Sequence, residues 1–290
     1  MNVEDLIGRV HTLRVTRIAR ADALVADPAD ARAPRLPIAR DELPEHAAVG
    51  DDVEVFITLD DDGDPIATTH RPRLQRDEIG HLEVTGLAPF GAFVDWGLPK
   101  DLLIPNRHLT APLRVGDRIC VALFVDEQGR LTGTTRVRER LIVGGQAPDG
   151  APSPFHFQVG DQVDGEAWRL EDGVGLFVIL QRRVLALLPA REPTRLAPGD
   201  VARLRVAQVL PDGKVMVSER APIHEQIDVD ADAVLAYLHR PNAAVVRESW
   251  DPERVAAVFG MSKKAFKRAI GRLLKEGVVA VRPDGAVVVR

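Results

Sequence analysis

One phrase recurs three times in this 290-residue chain and restricts its fold more than any other feature. "VGDDVEVFITLDDDGDPIATTH" begins at Val49, "VGDRICVALFVDEQGRLTGTTR" at Val115 and "PGDVARLRVAQVLPDGKVMVSE" at Pro198. Each copy is an alternating apolar run broken by a tight turn, at Asp62-Gly63, Gln128-Gly129 and Asp212-Gly213, where glycine supplies the positive φ a hairpin needs. The repeating unit is too short for a sandwich and long enough for a five-stranded barrel closed by a Greek-key path. The expected fold is therefore mainly β, with three small barrels in series.

From Asp230 the apolar spacing becomes helical, with Val234, Leu235 and Leu238 on one face. A second helix is signalled at "DPERVAAVFG", with Asp251 as N-cap, Pro252 in the first turn and Gly260 as stop. A third follows Ser262, its buried stripe being Phe266, Ile270, Leu273 and Leu274. Two β-branched runs around Pro283-Asp284-Gly285 then form a hairpin, so the tail reads as an α+β winged helix. The expected domains are barrel 1 over 1–72, barrel 2 over 73–142, a Gly/Pro-rich linker over 143–154, barrel 3 over 155–222 and the winged helix over 223–290. The short "RPRL" around Pro72 predicts fixed contact between the first two barrels.

Charge is unevenly distributed. Residues 1–72 carry eight basic and fifteen acidic side chains, 73–137 eight of each, and 154–221 nine of each. Residues 251–290 carry nine basic and four acidic side chains, which makes the tail the segment suited to phosphate. The run Asp60 to Asp64 fails as a calcium loop, because the position that needs a bidentate Glu is Arg71. The histidines show no metal-ligand spacing, and no phosphate loop, nucleophile elbow or cysteine cluster occurs; neither an enzyme nor a cofactor is expected. Cys120 lies among apolar neighbours and reads as a small hydrophobe. Without a leader or an apolar run near ~20 residues, a cytoplasmic chain with no membrane contact is expected, and a monomer.

Only 4% of the residues are aromatic, yet "APFGAFVDWGLPKDLLIP" from Ala88 places Phe90, Phe93 and Trp96 within seven positions. Strict alternation sends Phe90 and Phe93 to opposite faces, and a bulge at Gly91 would bring both to one face as a stacking platform. The second unit, with Phe90-Gly91-Ala92-Phe93, resembles an S1-type RNA-binding barrel. The third keeps Phe177 but has Val174 in place of the first ring, and the first unit has neither. Three such units followed by "DPERVAAVFGMSKKAFKRAIGRLLKEG" are similar to the bacterial conserved virulence factor B family. The resemblance implies S1/OB-type barrels, RNA binding, a regulatory role and no catalysis. Many S1 barrels have a histidine on the third strand; Pro105 stands there here, with Arg107 and His108 close by.

Single-stranded RNA is held by rings that stack on bases and cations that follow phosphates. The candidate stacking residues are Phe90, Phe93, Trp96, Phe177 and His108, and the candidate phosphate contacts on the barrel are Lys100 and Arg107. In the tail, Lys263, Lys264, Lys267, Arg268, Arg272 and Lys275 form a cationic helix face of the kind that meets duplex nucleic acid or a ribosomal surface. The expected function is post-transcriptional regulation through single-stranded RNA. The competing expectation is a DNA-binding transcription regulator whose barrels are docking domains.

Overall fold

The computed structural model describes residues 3–30, 32–219, 223–240 and 244–290. It divides into two compact units, Met1–Ser218 and Glu219–Arg290. In the first unit a short helix α1 (Val3–Leu6) precedes β1 (Val10–Ile18), β2 (Asp22–Ala26), β3 (Leu36–Ala39), β4 (Asp52–Leu59) and β5 (Pro65–Thr68), ordered β3-β2-β1-β4-β5. The second sheet comprises β6 (Ile79–Ala88), β7 (Gly91–Asp95), β8 (Leu102–Pro105), β9 (Arg118–Val125) and β10 (Leu131–Thr134), ordered β10-β9-β6-β7-β8. The third comprises β11 (Gln162–Glu171), β12 (Gly175–Leu180), β13 (Val184–Pro189), β14 (Val201–Val209) and β15 (Val215–Ser218). It closes fully through a parallel pair in which Ala186 faces Val215 and Leu187 faces Met216. In the second sheet Gly133 of β10 lies so close to β8 that a Cβ would come within 2.7 Å of Ile104 Cγ1, so the two ends meet by packing.

A bulge sits at the same place in all three barrels. Register steps from Val15↔Val25 to Arg17↔Leu24, from Val84↔Val94 to Gly86↔Phe93, and from Ala167↔Val178 to Arg169↔Phe177. The extra residues are Thr16, Thr85 and Trp168, each on the first strand of its barrel, where a bulge turns the strand and increases its twist. The bulge expected at Gly91 is therefore on the partner strand. Gly91 itself pairs regularly with Ala88 and Pro105, and glycine is needed there because a Cβ would strike the Ile104 carbonyl oxygen.

The first two barrels share a core. Phe56 of β4 is 1% exposed and packs with Leu82, Val84 and Trp96 of the second barrel, meeting Trp96 edge-on with centroids 5.7 Å apart. Arg9 pairs with Asp77 at 2.6 Å, and the Val10 N–H donates to Gln75 Oε1. Ile79, Ala122, Val137 and Leu141 pack with Ile179 of the third barrel, beside a His81 Nδ1–Glu166 Oε1 contact of 2.5 Å whose side chains are 6% and 13% exposed. The last residue assigned to the second barrel, Ile142, and the start of the stretch read as a linker are stitched to the third barrel. The buried Ile142 exchanges backbone hydrogen bonds with Arg183 and Leu185, and Gly144 lies against Gly213 closely enough that neither tolerates a side chain.

In the second unit α2 (Ile223–Leu238) begins earlier than the helical spacing implied, and Val234 is fully buried with Leu235 and Leu238 against the same core. Asp251 caps α3 (Pro252–Phe259) by accepting from the Arg254 N–H, and Gly260 ends it in the left-handed region at φ 69°. Ser262 caps α4 (Lys263–Lys275) through the Ala265 N–H. Its buried face is Ala265, Phe266, Ala269, Ile270 and Leu273; Leu274, placed on that stripe by the sequence reading, is 37% exposed because it lies one position past the seam. Trp250, Phe259 and Phe266 stack through the core, and β16 (Val279–Val281) and β17 (Val287–Val289) form the wing.

Candidate nucleic-acid interface

The second barrel presents an apolar outer face where β6, β7 and β8 run side by side. On β7, Ala92 and Val94 fill the core, so Phe93 points outward. Phe90 lies in the β6–β7 turn rather than on the strand and is 59% exposed. The rings meet edge-on with centroids 6.0 Å apart, so they do share one face. Gly86 opposite Phe93 places no side chain over that half-buried ring, and Leu87, 51% exposed, extends the surface.

The turn is clamped to the segment after β8. The Asn106 N–H donates to the Phe90 carbonyl at 3.0 Å and Asn106 Nδ2 to the Pro89 carbonyl at 2.7 Å, which joins the segment carrying Arg107 and His108 to the ring turn. The His108 carbonyl accepts from the Thr135 N–H and the Thr134 hydroxyl, fixing this segment to the end of β10. The His108 ring packs edge-on against Phe124 at 5.2 Å. Its pKa is lowered, first by burial and then by Arg107, Arg140 and Arg136, with Asp126 acting in the opposite direction. The neutral imidazole is thus the favoured form in a basic neighbourhood. Arg136, Arg138 and Arg140 were not among the residues anticipated. They follow β10 in "TTRVRER", where a run of arginines on a short turn resembles any charged strand end.

One anticipated residue is corrected, and two more stand in occupied surroundings. Trp96 is 4% exposed, donates Nε1–H to the Lys100 carbonyl at 2.7 Å and is sealed by Phe56, so no base reaches its ring. Lys100 is paired with Asp61, at the acidic hairpin tip of the first barrel, at 2.5 Å. Both partners are well exposed, so the pair is weak, but the cation is not uncommitted. Phe177 points outward as Phe93 does, yet the Arg169 guanidinium carbon lies 5.6 Å from its centroid and Arg169 pairs with Glu171. A recess beside it is lined by Leu170, Glu171, Asp172 and Glu192, an acidic rim unsuited to phosphate.

On α4, Lys263, Lys264, Lys267 and Arg268 border an open recess. Among the described residues these four and Lys275 have no carboxylate partner, whereas Arg272 pairs with Glu276 at 3.0 Å. Cys120 is partly buried, and burial raises its thiol pKa further from the reactive thiolate. Among the described residues no group of three or more His, Cys, Asp or Glu side chains gathers as a metal site, and no helix is long and apolar enough to cross a membrane.

The S1 domain family matches residues 7–70 and 78–136, and the CvfB-like winged helix domain family matches residues 232–286. Uncharacterized protein YitL of Bacillus subtilis is 31% identical over 245 residues, covering 82% of this chain and 80% of its own. Conserved virulence factor B of Staphylococcus epidermidis is 24% identical over 296 residues, covering 96% and 93%. A crystal structure of a multidomain protein with nucleic acid binding domains from Streptococcus pneumoniae aligns over 100% of this chain and 99% of its own, with 22% identity and a TM-score of 0.39.

Proposed function

We propose, for a chain that belongs to the conserved virulence factor B family, that it is a non-catalytic, cytoplasmic RNA-binding protein that regulates gene expression after transcription. The coarser part, nucleic-acid binding, follows from its S1 and winged-helix domains; the regulatory part is what the family resemblance implies. The preference for single strands is carried by one observation. Phe90 and Phe93 form an outward pair beside Gly86, with Arg107 joined to their turn through Asn106. Exposed rings on a barrel face accept unstacked bases, which a duplex keeps buried in its own stack. Flexible strands such as uridine runs are the favoured class.

A second reading has its own support. The unpaired cations of α4 lie on the helix that enters the major groove in helix-turn-helix proteins, which fits a DNA-binding transcription regulator. Competition between single-stranded RNA and duplex DNA for the full chain, at one salt concentration, separates the two. RNA is expected to compete better, and Phe93→Ala to weaken RNA far more than DNA. Preferred binding of duplex DNA, unaffected by Phe93→Ala and abolished by replacing Lys264, Lys267 and Arg268 with Gln, would assign the function to the winged helix instead.

A further inference from the structure

Two arginines from beyond β10 converge on the segment that carries Arg107. Arg136 Nε donates to the Arg107 carbonyl at 3.2 Å, and the Arg140 guanidinium carbon lies 4.0 Å over the Phe124 ring, the same ring that His108 meets edge-on. Arg107 Nε points at His108 Nε2, 3.2 Å away, which makes that nitrogen the acceptor in the hydrogen-bond network. Counter-charge is scarce. Arg136 has one exposed partner, Glu139 at 3.7 Å, and Asp126 is occupied by Arg130 through bonds of 3.1 and 2.8 Å. Among the described residues Arg107 and Arg140 meet no carboxylate.

We propose that Arg107, Arg136 and Arg140 form a phosphate-binding site at the end of the second barrel, which takes the backbone phosphate next to a nucleotide stacked on Phe90 and Phe93. The proposal rests on the RNA reading above. Guanidinium groups suit it because their planar forks match phosphate oxygens and stay charged at every relevant pH. The Asn106 bonds to Pro89 and Phe90 make the ring turn and the arginine segment one piece, so base and phosphate are held in a fixed relation. His108 is a positioning residue of the unbound site: its neutral ring rests on Phe124 and holds the Arg107 guanidinium until the phosphate takes that guanidinium over and frees Nε2 for a proton.

This arrangement couples binding to pH. The charged groups facing His108 are Arg107, Arg136, Arg140 and Asp126, and the three arginines together with burial disfavour the imidazolium. A phosphate settling among those arginines offsets their field and raises the His108 pKa. Binding then takes up protons, so affinity increases as pH falls through the interval between the lowered free value and the raised bound value.

The test is an NMR titration of His108 in the full chain, alone, with a uridine oligomer and with inorganic phosphate. The oligomer is expected to raise the His108 midpoint, and inorganic phosphate at the same phosphate concentration to leave it in place, since it lacks the stacked base. Oligomer binding that depends on Phe93 while the His108 midpoint stays fixed overturns this site and leaves the RNA reading standing. Absence of any Phe93-dependent RNA binding overturns both. A midpoint moved equally by inorganic phosphate assigns a small-anion site and overturns the strand contact. As a second arm, Arg107→Gln with Arg136→Gln should flatten the dependence of log affinity on log salt by about 1.4, from roughly 0.7 per lost single-strand contact. An unchanged slope in a folded variant overturns the site; should that variant unfold, the titration of the unaltered chain decides.

Discussion

The second and third barrels set a phenylalanine at the same lattice point, one pairing past the bulge, and surround it differently. Phe93 faces Gly86, whereas Phe177 faces Arg169, which leans over the ring and pairs with Glu171. At the adjoining turn the second barrel exposes Phe90, followed across the clamp by Arg107; the third has Val174, and Glu171, Asp172 and Glu192 nearby. The first barrel completes the series, with Leu24 opposite Arg17, itself paired with Asp22. If the second barrel carries the proposed base platform and the third does not, an outward ring is not sufficient for one. The proposal then requires a small cross-strand neighbour, as Gly86 is for Phe93, and a rim without carboxylates.

The comparison first requires that rings of the fold be separable from rings of the face. Phe56→Ala, emptying the shared core of the first two barrels, is expected to cost about 3 to 5 kcal/mol of unfolding free energy in a denaturant titration. Phe90→Ala should leave the same titration essentially unchanged. Next in size, Phe93→Ala should weaken single-stranded RNA by about 1 to 3 kcal/mol, with an unaltered melting temperature and salt slope. A sharp fall in melting temperature would place Phe93 with the core and remove the contrast altogether. Gly86→Arg would install the third barrel's lid on the second. A Cβ there meets Phe93 at an ordinary 3.7 Å, so the chain should fold, and RNA affinity should fall about tenfold, or 1.4 kcal/mol. Full affinity after that change would show that the lid is irrelevant. Smallest of all, Phe177→Ala should change RNA affinity by less than about threefold, well below 1 kcal/mol; a loss as large as that of Phe93→Ala would make the two barrels equivalent.

Features set by a few adjacent residues were legible in the chain. The hairpin glycines, the Asp251 and Ser262 caps, the Gly260 stop and the wing turn depend on local dihedrals and local donors, which residue type reveals directly. The outward direction of Phe93 follows from alternation with Ala92 and Val94. What escaped depends on partners distant in sequence. Gly91 looked like a bulge because glycine permits one, but the pressure on it comes from the Ile104 carbonyl, and the extra residue is Thr85 on the opposite strand. Trp96 looked available until Phe56 from another barrel covered it. Arg136 and Arg140 acquire meaning only where the Thr134 and Thr135 bonds draw β10 up to His108.

Phe56 in one junction and the His81–Glu166 contact in the next leave little slack between successive barrels of the first unit. Binding modules on flexible tethers explore many separations, and the second contact is governed by an effective concentration that declines smoothly with tether length. Modules cemented side by side behave as a ruler. The entropy of aligning them was spent when the chain folded, so a ligand of the second barrel's outer face meets neighbours whose spacing is already set.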